Sequence, residues 1–242
     1  MNPFAAIAAG YAQHRPPVHI EILKRALAGT EVFARAVDVG CGSGVSTLAL
    51  HGFARERIGV EPAEAMVEAA RAVDPGAPFL AAPAEAVPLP DGSADLITAA
   101  GSLNYADPVR FYPEAARLLA PGGLLLVYDF STGDKRDSGW LGRFVERYPW
   151  APNEARTLNP ALLAEEAQGF RLHRSEEFAL SLTLTRDFYL NYMMTETNVA
   201  YAIRQGGTME EARHWCEETL WPDEQAEIVF PGYFALFRRA LP

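Results

Sequence analysis

The sequence predicts an α/β protein: a doubly wound, mostly parallel sheet of seven strands with helical insertions that cap its ligand edge. Two observations carry this expectation. Between residues 32 and 130 short apolar runs alternate with amphipathic, helix-favouring segments, the rhythm of a parallel sheet covered on both faces. The first apolar run also leads straight into a glycine turn, GCGSG. At 242 residues, 49% apolar and 21% charged, the chain can bury the core such a sheet needs.

Taken in order, residues 17–28 place Val18, Ile22, Leu23 and Leu27 at helical spacing behind Pro16 and Pro17. Val32 to Val39 reads as a buried strand and Val45 to Phe53 as the helix after the glycine turn. Arg57 to Glu61 is a second strand, residues 63–73 (AEAMVEAARAV) a helix, and Phe79 to Ala81 a brief third strand. Ala94 to Ala99 follows the Asp91-Gly92 turn as the fourth strand. Residues 108–119 form a helix with Phe111, Ala115, Leu118 and Leu119 inward, stopped by Pro121-Gly122-Gly123. Leu124 to Phe130 is the fifth and most apolar strand. Residues 131–160 have no clear period; Phe170 to Leu184 alternates like an edge strand; 186–221 is helical with a break near Gly206-Gly207; Ile228 to Arg238 is the last strand. The expected organisation is one domain over 1–242, with a core of about 31–130, 169–184 and 226–240 and cap segments 1–30, 131–160 and 186–221.

Net charge is −10, which disfavours a nucleic-acid partner, since phosphate binding needs a basic face. Arg238-Arg239 reads as the polar face of the terminal strand. The two cysteines, Cys41 and Cys216, match no zinc or redox spacing, so no metal is expected. The first residues lack the pattern of a secretory signal, and no run reaches the roughly 20 apolar residues of a membrane span. The expectation is a cytoplasmic protein that engages neither membrane nor nucleic acid.

The turn Asp38-Val39-Gly40-Cys41-Gly42-Ser43-Gly44 sits where open α/β sheets bind ligands, at the carboxyl end of a strand. Glycine serves where φ is positive or where a ligand meets bare backbone. Glu61 ends the next strand, where a carboxylate can accept from both hydroxyls of a ribose. Three readings stay open on these residues alone. One is a tight turn without a ligand. The second, a nicotinamide or flavin site, is opposed by Val45, which stands where the third glycine of G-x-G-x-x-G belongs. The third is a nucleoside carrying an amino acid in place of a pyrophosphate.

Four ordered segments then carry a family resemblance. V-D-V-G-C-G-S-G with G-V-E-P-A-E-A-M, Pro83 to Gly92, Asp95 to Thr98, and Glu114 to Gly123 together resemble the class I S-adenosylmethionine-dependent methyltransferases, in their small-molecule, type 11-like branch. The resemblance implies a Rossmann-like fold, S-adenosyl-L-methionine as cofactor and roles for particular positions. Asp38, Gly40 and Gly42 would line the methionine part, Cys41 and Gly44 would be further cofactor contacts, Glu61 would hold the ribose, and Pro62 and Met66 would flank the adenine. Ala84 and Glu85 would meet the adenine edge, and Gly101 and Ser102 would sit beneath the transferable methyl. Tyr11 to Pro16 is similar to the Y-x-x-x-R-P element of this class, which implies that Tyr11 and Arg15 close over the cofactor. Two departures stand out. Pro83 replaces an aspartate the family often has, and Asn104 replaces a histidine found in some subfamilies.

Methyl transfer from a sulfonium is an in-line displacement that needs a base only when the nucleophile arrives protonated. His14 is the best-placed candidate base. Asn104, Tyr105, Tyr189, Tyr192 and Met193 are candidate pocket residues, although an aromatic stripe such as 188–201 is more often core. The expected partner is a small organic acceptor, methylated on O, N or C. The alternatives are other transfer chemistry with the same cofactor, or a non-catalytic regulatory protein. Neither the acceptor nor the oligomeric state is readable.

Overall fold

The computed structural model describes residues 14–152 and 155–240. The chain divides into two compact units. Of the described residues, the larger comprises 17–130, 155–178 and 232–240; the smaller comprises 14–16, 131–152 and 179–231. The helix over Val18–Ala26, expected within a cap segment, belongs to the larger unit.

In the larger unit α1 (Val18–Ala26) buries Val18, Ile22, Leu23 and Ala26, the apolar stripe seen in the sequence. β1 (Phe33–Val39), β2 (Ala54–Glu61), β3 (Phe79–Ala81), β4 (Ala94–Ala100) and β5 (Leu119–Phe130) are joined in the order β3-β2-β1-β4-β5, and all these pairs are parallel. The helices between them are α2 (Val45–Ala49), α3 (Glu64–Val73) and α4 (Pro108–Leu118). The last strand, β8 (Gln225–Arg239), runs antiparallel to β5 from Leu124↔Arg238 to Phe130↔Gly232. β7 (Phe170–Thr185) pairs with β8. With β1–β5 these make the seven strands the sequence predicts. α6 (Pro160–Glu166) buries Leu163 in the same unit.

Boundaries differ for local reasons. α2 stops at Ala49 rather than Phe53, because the chain turns at Gly52 with φ 96°. β5 begins at Leu119, ahead of the Pro-Gly-Gly expected to break the chain, since Leu119 pairs with Ala94 across an irregular step.

In the smaller unit the first half of β8 carries a short strand, β6 (Asp134–Lys135), through Asp134↔Val229 and Lys135↔Ile228. The segment without a sequence period holds a helix, α5 (Trp140–Arg147). The long helical region is three helices, α7 (Arg186–Met193), α8 (Thr197–Arg204) and α9 (Met209–Thr219), broken at 194–196 as well as at the two glycines. α9 starts with a capping box between Thr208 and Glu211. The core is aromatic: Trp140 stacks on Phe144 at 5.1 Å, and Tyr189 meets Trp221 at 4.7 Å between ring centres.

A buried carboxylate ties three elements of the sheet unit together. Asp38, fully buried on β1, accepts hydrogen bonds from Ser46 Oγ (2.6 Å) and Thr47 Oγ1 (2.8 Å) on α2 and from Thr98 Oγ1 (2.7 Å) on β4. Burial pushes the Asp38 carboxyl above the usual carboxylate range, the three hydroxyls draw it back down, and nearby Glu61 adds to the rise. A folded pKa above the unfolded one means the folded state takes up a proton as pH falls. The Asp38 contribution therefore favours folding below its unfolded value and is lost as pH rises toward the folded one.

Two substitutions test this architecture. Thr98→Val should cost about 1.5–3 kcal/mol at neutral pH, with a smaller loss once Asp38 is protonated; urea melts at neutral and acidic pH would show the difference. Phe144→Ala, which empties the centre of the smaller unit's aromatic core, should cost about 3–5 kcal/mol, read as a lowered thermal midpoint.

Candidate active site

The site is built on the turn that leaves β1. Gly40, Gly42 and Gly44 all have positive φ (65°, 53° and 84°), a conformation other residues adopt only under strain. Gly40 is constrained twice. A Cβ there would lie 2.3 Å from Ser102 Cβ, so the turns after β1 and β4 touch at this point. Ser102 Oγ donates to the Val39 carbonyl at 2.7 Å and fastens the contact. Gly44 opens α2 and packs so closely on α3 that a Cβ would meet Ala70 Cβ at 2.9 Å.

Glu61, at the end of β2, braces the turn. Its Oε2 accepts from Gly42 N at 3.1 Å and its Oε1 from Ala63 N at 3.0 Å. Between these groups lies a cavity of about 330 Å³. Gly40, Glu61 and Pro62 line one side, Ala84 and Glu85 another, and Gly101, Ser102 and Tyr105 a third. Eight of the expected positions thus converge on one cavity. Val39, Pro83, Leu103 and Ala106 complete it, none of them among the expected ligand contacts.

Other expected residues stand elsewhere. Asp38 lies beneath the turn with its carboxylate engaged by three hydroxyls. Cys41 is buried, with its thiol pushed up by that burial and then by Asp38 and Glu61, and it packs with Val67, Ala70 and Phe79. The Met66 methyl rests 3.6 Å from where a Gly42 Cβ would be. Asn104, in the 3-10 turn Leu103–Tyr105, directs Nδ2 to Asp129 Oδ2 at 3.3 Å.

Tyr11 falls outside the described residues. Within the smaller unit Arg15 donates to Glu196 Oε1 at 2.9 Å and lies over the Tyr192 ring, while Thr132 donates to Glu196 Oε2 at 3.0 Å. His14 makes an edge contact with Phe188 at 6.2 Å. Tyr189, Tyr192 and Met193 are fully buried in that unit, and the Tyr189 hydroxyl donates to the Gly133 carbonyl at 2.7 Å.

Two polar groups near the carboxyl end of β5 had no sequence expectation. His19, on α1, shares a 2.9 Å hydrogen bond between Nδ1 and the hydroxyl of buried Tyr128; its partner is more than a hundred residues away, so no local signal marks it. Asp129 ends β5 beside Gly101, and burial raises its carboxyl above the ordinary range. The rule that drew attention to Glu61, a carboxylate at the ligand end of a parallel strand, would also have found Asp129.

Comparison with known proteins fits this geometry. A family model described as a methyltransferase domain, type 11, matches residues 37–127. An uncharacterized methyltransferase of Mycobacterium tuberculosis is 34% identical over 148 residues, 60% of this chain and 59% of the relative. A trans-aconitate 2-methyltransferase of Acidovorax sp. is 35% identical over 136 residues, 54% of this chain and 52% of the relative. The chain thus spans under two thirds of the length of these curated relatives. Among solved structures, a putative type II methyltransferase from Anaeromyxobacter dehalogenans superposes with a TM-score of 0.66 at 21% identity, covering 94% of this chain and 97% of that one. A sheet in the order β3-β2-β1-β4-β5 with antiparallel β8 is thus the fold shared with that methyltransferase structure, and within it residues 37–127, which hold the glycine turn braced by Glu61, match a type 11 methyltransferase domain.

Proposed function

We propose that the chain binds S-adenosyl-L-methionine in the cavity beside the glycine turn and transfers its methyl group to a small organic acceptor. The observation that carries this reading is the cavity of about 330 Å³ bounded by bare backbone at Gly40 and Gly101 and by the Glu61 carboxylate. That size suits a compact nucleoside ligand. Glu61 keeps lone pairs beyond those given to Gly42 N and Ala63 N, enough to accept from ribose hydroxyls. Ala84 and Glu85 would face the adenine edge. The Pro83 side chain offers no acceptor for an adenine amino group, so that amino group would rely on backbone carbonyls or on Glu85.

When bound, the cofactor supplies an electrophilic methyl on a sulfonium. The chain's task is to fix the donor, align the acceptor and keep water out. The rigid contact between Gly40 and Ser102 holds the floor on which the methionine part would rest. The acceptor's class as a small molecule is supported by the family match and by the trans-aconitate methyltransferase among the relatives.

Calorimetry with S-adenosylhomocysteine should show binding in the micromolar range; a folded protein that binds neither it nor the methyl donor sinks the proposal. Glu61→Ala removes the brace on Gly42 and the ribose acceptor together and should weaken that binding by roughly ten- to hundredfold, the equivalent of about 1.5–3 kcal/mol. Mass spectrometry of the spent cofactor separates methyl transfer, which leaves S-adenosylhomocysteine, from other transfer chemistry.

A further inference from the structure

Resting on that reading, we propose that Asp129 is the group that takes the proton from the acceptor, so that the acceptor is one whose nucleophilic atom arrives carrying a proton, a hydroxyl or an amine rather than a carboxylate.

Asp129 is at the carboxyl end of β5, the strand hydrogen-bonded to β4 through Ala100↔Tyr128. Its carboxylate rests against the glycine that follows β4: a Cβ on Gly101 would lie 3.0 Å from Asp129 Oδ1. Gly101 lines the cavity and has a φ of 61°. The carboxylate is thus separated from the space assigned to the donor by Gly101, which lines that space and has no side chain. Asp129 is half-buried rather than sealed, so a proton it receives can pass on to solvent.

The carboxylate is held in place without being neutralised. Oδ1 accepts from Phe130 N at 2.8 Å and Oδ2 from Asn104 Nδ2 at 3.3 Å. Neither donor is charged, and among the described residues no lysine, arginine or histidine forms an ion pair with Asp129. Among the described residues, Tyr128 on its own strand and Tyr233 opposite it on β8 feel it as neutral phenols held well above their usual range by burial first, and His19 on α1 meets the Phe130 ring at 5.1 Å and bonds the Tyr128 hydroxyl. Arg156 donates its backbone N–H to the Asn104 carbonyl at 3.0 Å but gives its guanidinium to Glu166. Burial without a cation raises the Asp129 carboxyl, while Phe130 N and Asn104 lower it. Such a carboxylate is a stronger base than one at the surface, as general-base work near neutral pH requires.

The step balances. The acceptor's oxygen or nitrogen forms a bond to the methyl carbon, the carbon–sulfur bond breaks, and its electron pair stays on the sulfur, which becomes a neutral thioether. The proton lost by the acceptor atom moves to an Asp129 carboxylate oxygen and then to water. An acceptor that is already a carboxylate has no proton to lose and would gain nothing from Asp129.

The test combines turnover with a titration that needs no acceptor. Wild type, Asp129→Asn and Asn104→Ala are assayed against phenols, alcohols and primary amines on one side and carboxylic acids on the other. Asp129→Asn should lower kcat for the first group by about 10²- to 10⁴-fold and remove the acidic limb of the pH profile, with affinity for S-adenosylhomocysteine within about twofold of wild type. Asn104→Ala deletes a donor to the charged form, so the Asp129 carboxyl should rise and the acidic limb move to higher pH. In parallel, the carbon-13 carboxyl signal missing from Asp129→Asn should titrate above the usual aspartate value of about 3.9 and rise further in Asn104→Ala. Turnover of carboxylates alone, an unchanged kcat and pH profile in Asp129→Asn, or a carboxyl signal titrating at or below the usual value would each overturn the assignment. If no acceptor in the panel turns over, the carboxyl titration decides. Failure of wild type to bind S-adenosylhomocysteine is a separate result and counts against the methyl-donor reading instead.

Discussion

The Asp38 carboxylate is the constraint on which the ligand edge depends. Placing an acid in the middle of a parallel sheet is unfavourable unless its oxygens are satisfied, and here Ser46, Thr47 and Thr98 satisfy them. Two of those hydroxyls come from the helix after the glycine turn and one from the neighbouring strand. The same side chain therefore fixes where α2 begins, how β1 and β4 are matched and, between them, the path left for Gly40 to Gly44. A hydrophobic residue could fill the volume but would join none of these elements by hydrogen bonds. A polar network fully satisfied in this way specifies one arrangement over its neighbours.

From that anchor the rest of the edge follows by contact. The turn can approach Ser102 only because position 40 has no side chain, and Ser102 returns a hydrogen bond to β1. Glu61 then reaches across from β2 to hold Gly42. Three strand ends, β1, β2 and β4, are locked together by interactions of short range, and the cavity is what remains between them. Its walls are mostly backbone and small side chains, which suits a ligand recognised by shape and by a few well-aimed polar groups.

How much of this was legible in the sequence depended on distance along the chain. The strands and the glycine turn were legible because their signals are local: apolar runs, positive-φ glycines and a carboxylate at a strand end. The partners of Asp38 on α2 lie within one turn of the motif, yet Thr98 is brought in only by the β1–β4 pairing. The helix Trp140–Arg147 escaped because it has only 8 residues, with Gly142 inside it, and its Trp140, Phe144, Tyr148 repeat is too short for a period to emerge from the surrounding loop. The Arg15–Glu196 pair and the His19–Tyr128 bond join residues with no sequence relation at all. Asp129 is the exception, a local signal within reach of a rule already applied to Glu61.

The antiparallel pairing of β5 with β8 has a consequence for how the protein is made. β5 is the most apolar strand of the sheet, and one of its edges is completed only by residues 232–238, more than a hundred positions later. During synthesis β1 to β4 can assemble on its other side while this edge waits, with its backbone donors and acceptors unpaired, for residues 232–238 to emerge. An open apolar edge is a template for association with other chains, and pairings this remote in sequence form slowly. Yield in the cell is therefore expected to be most sensitive to events at β8, far along the chain from the glycine turn.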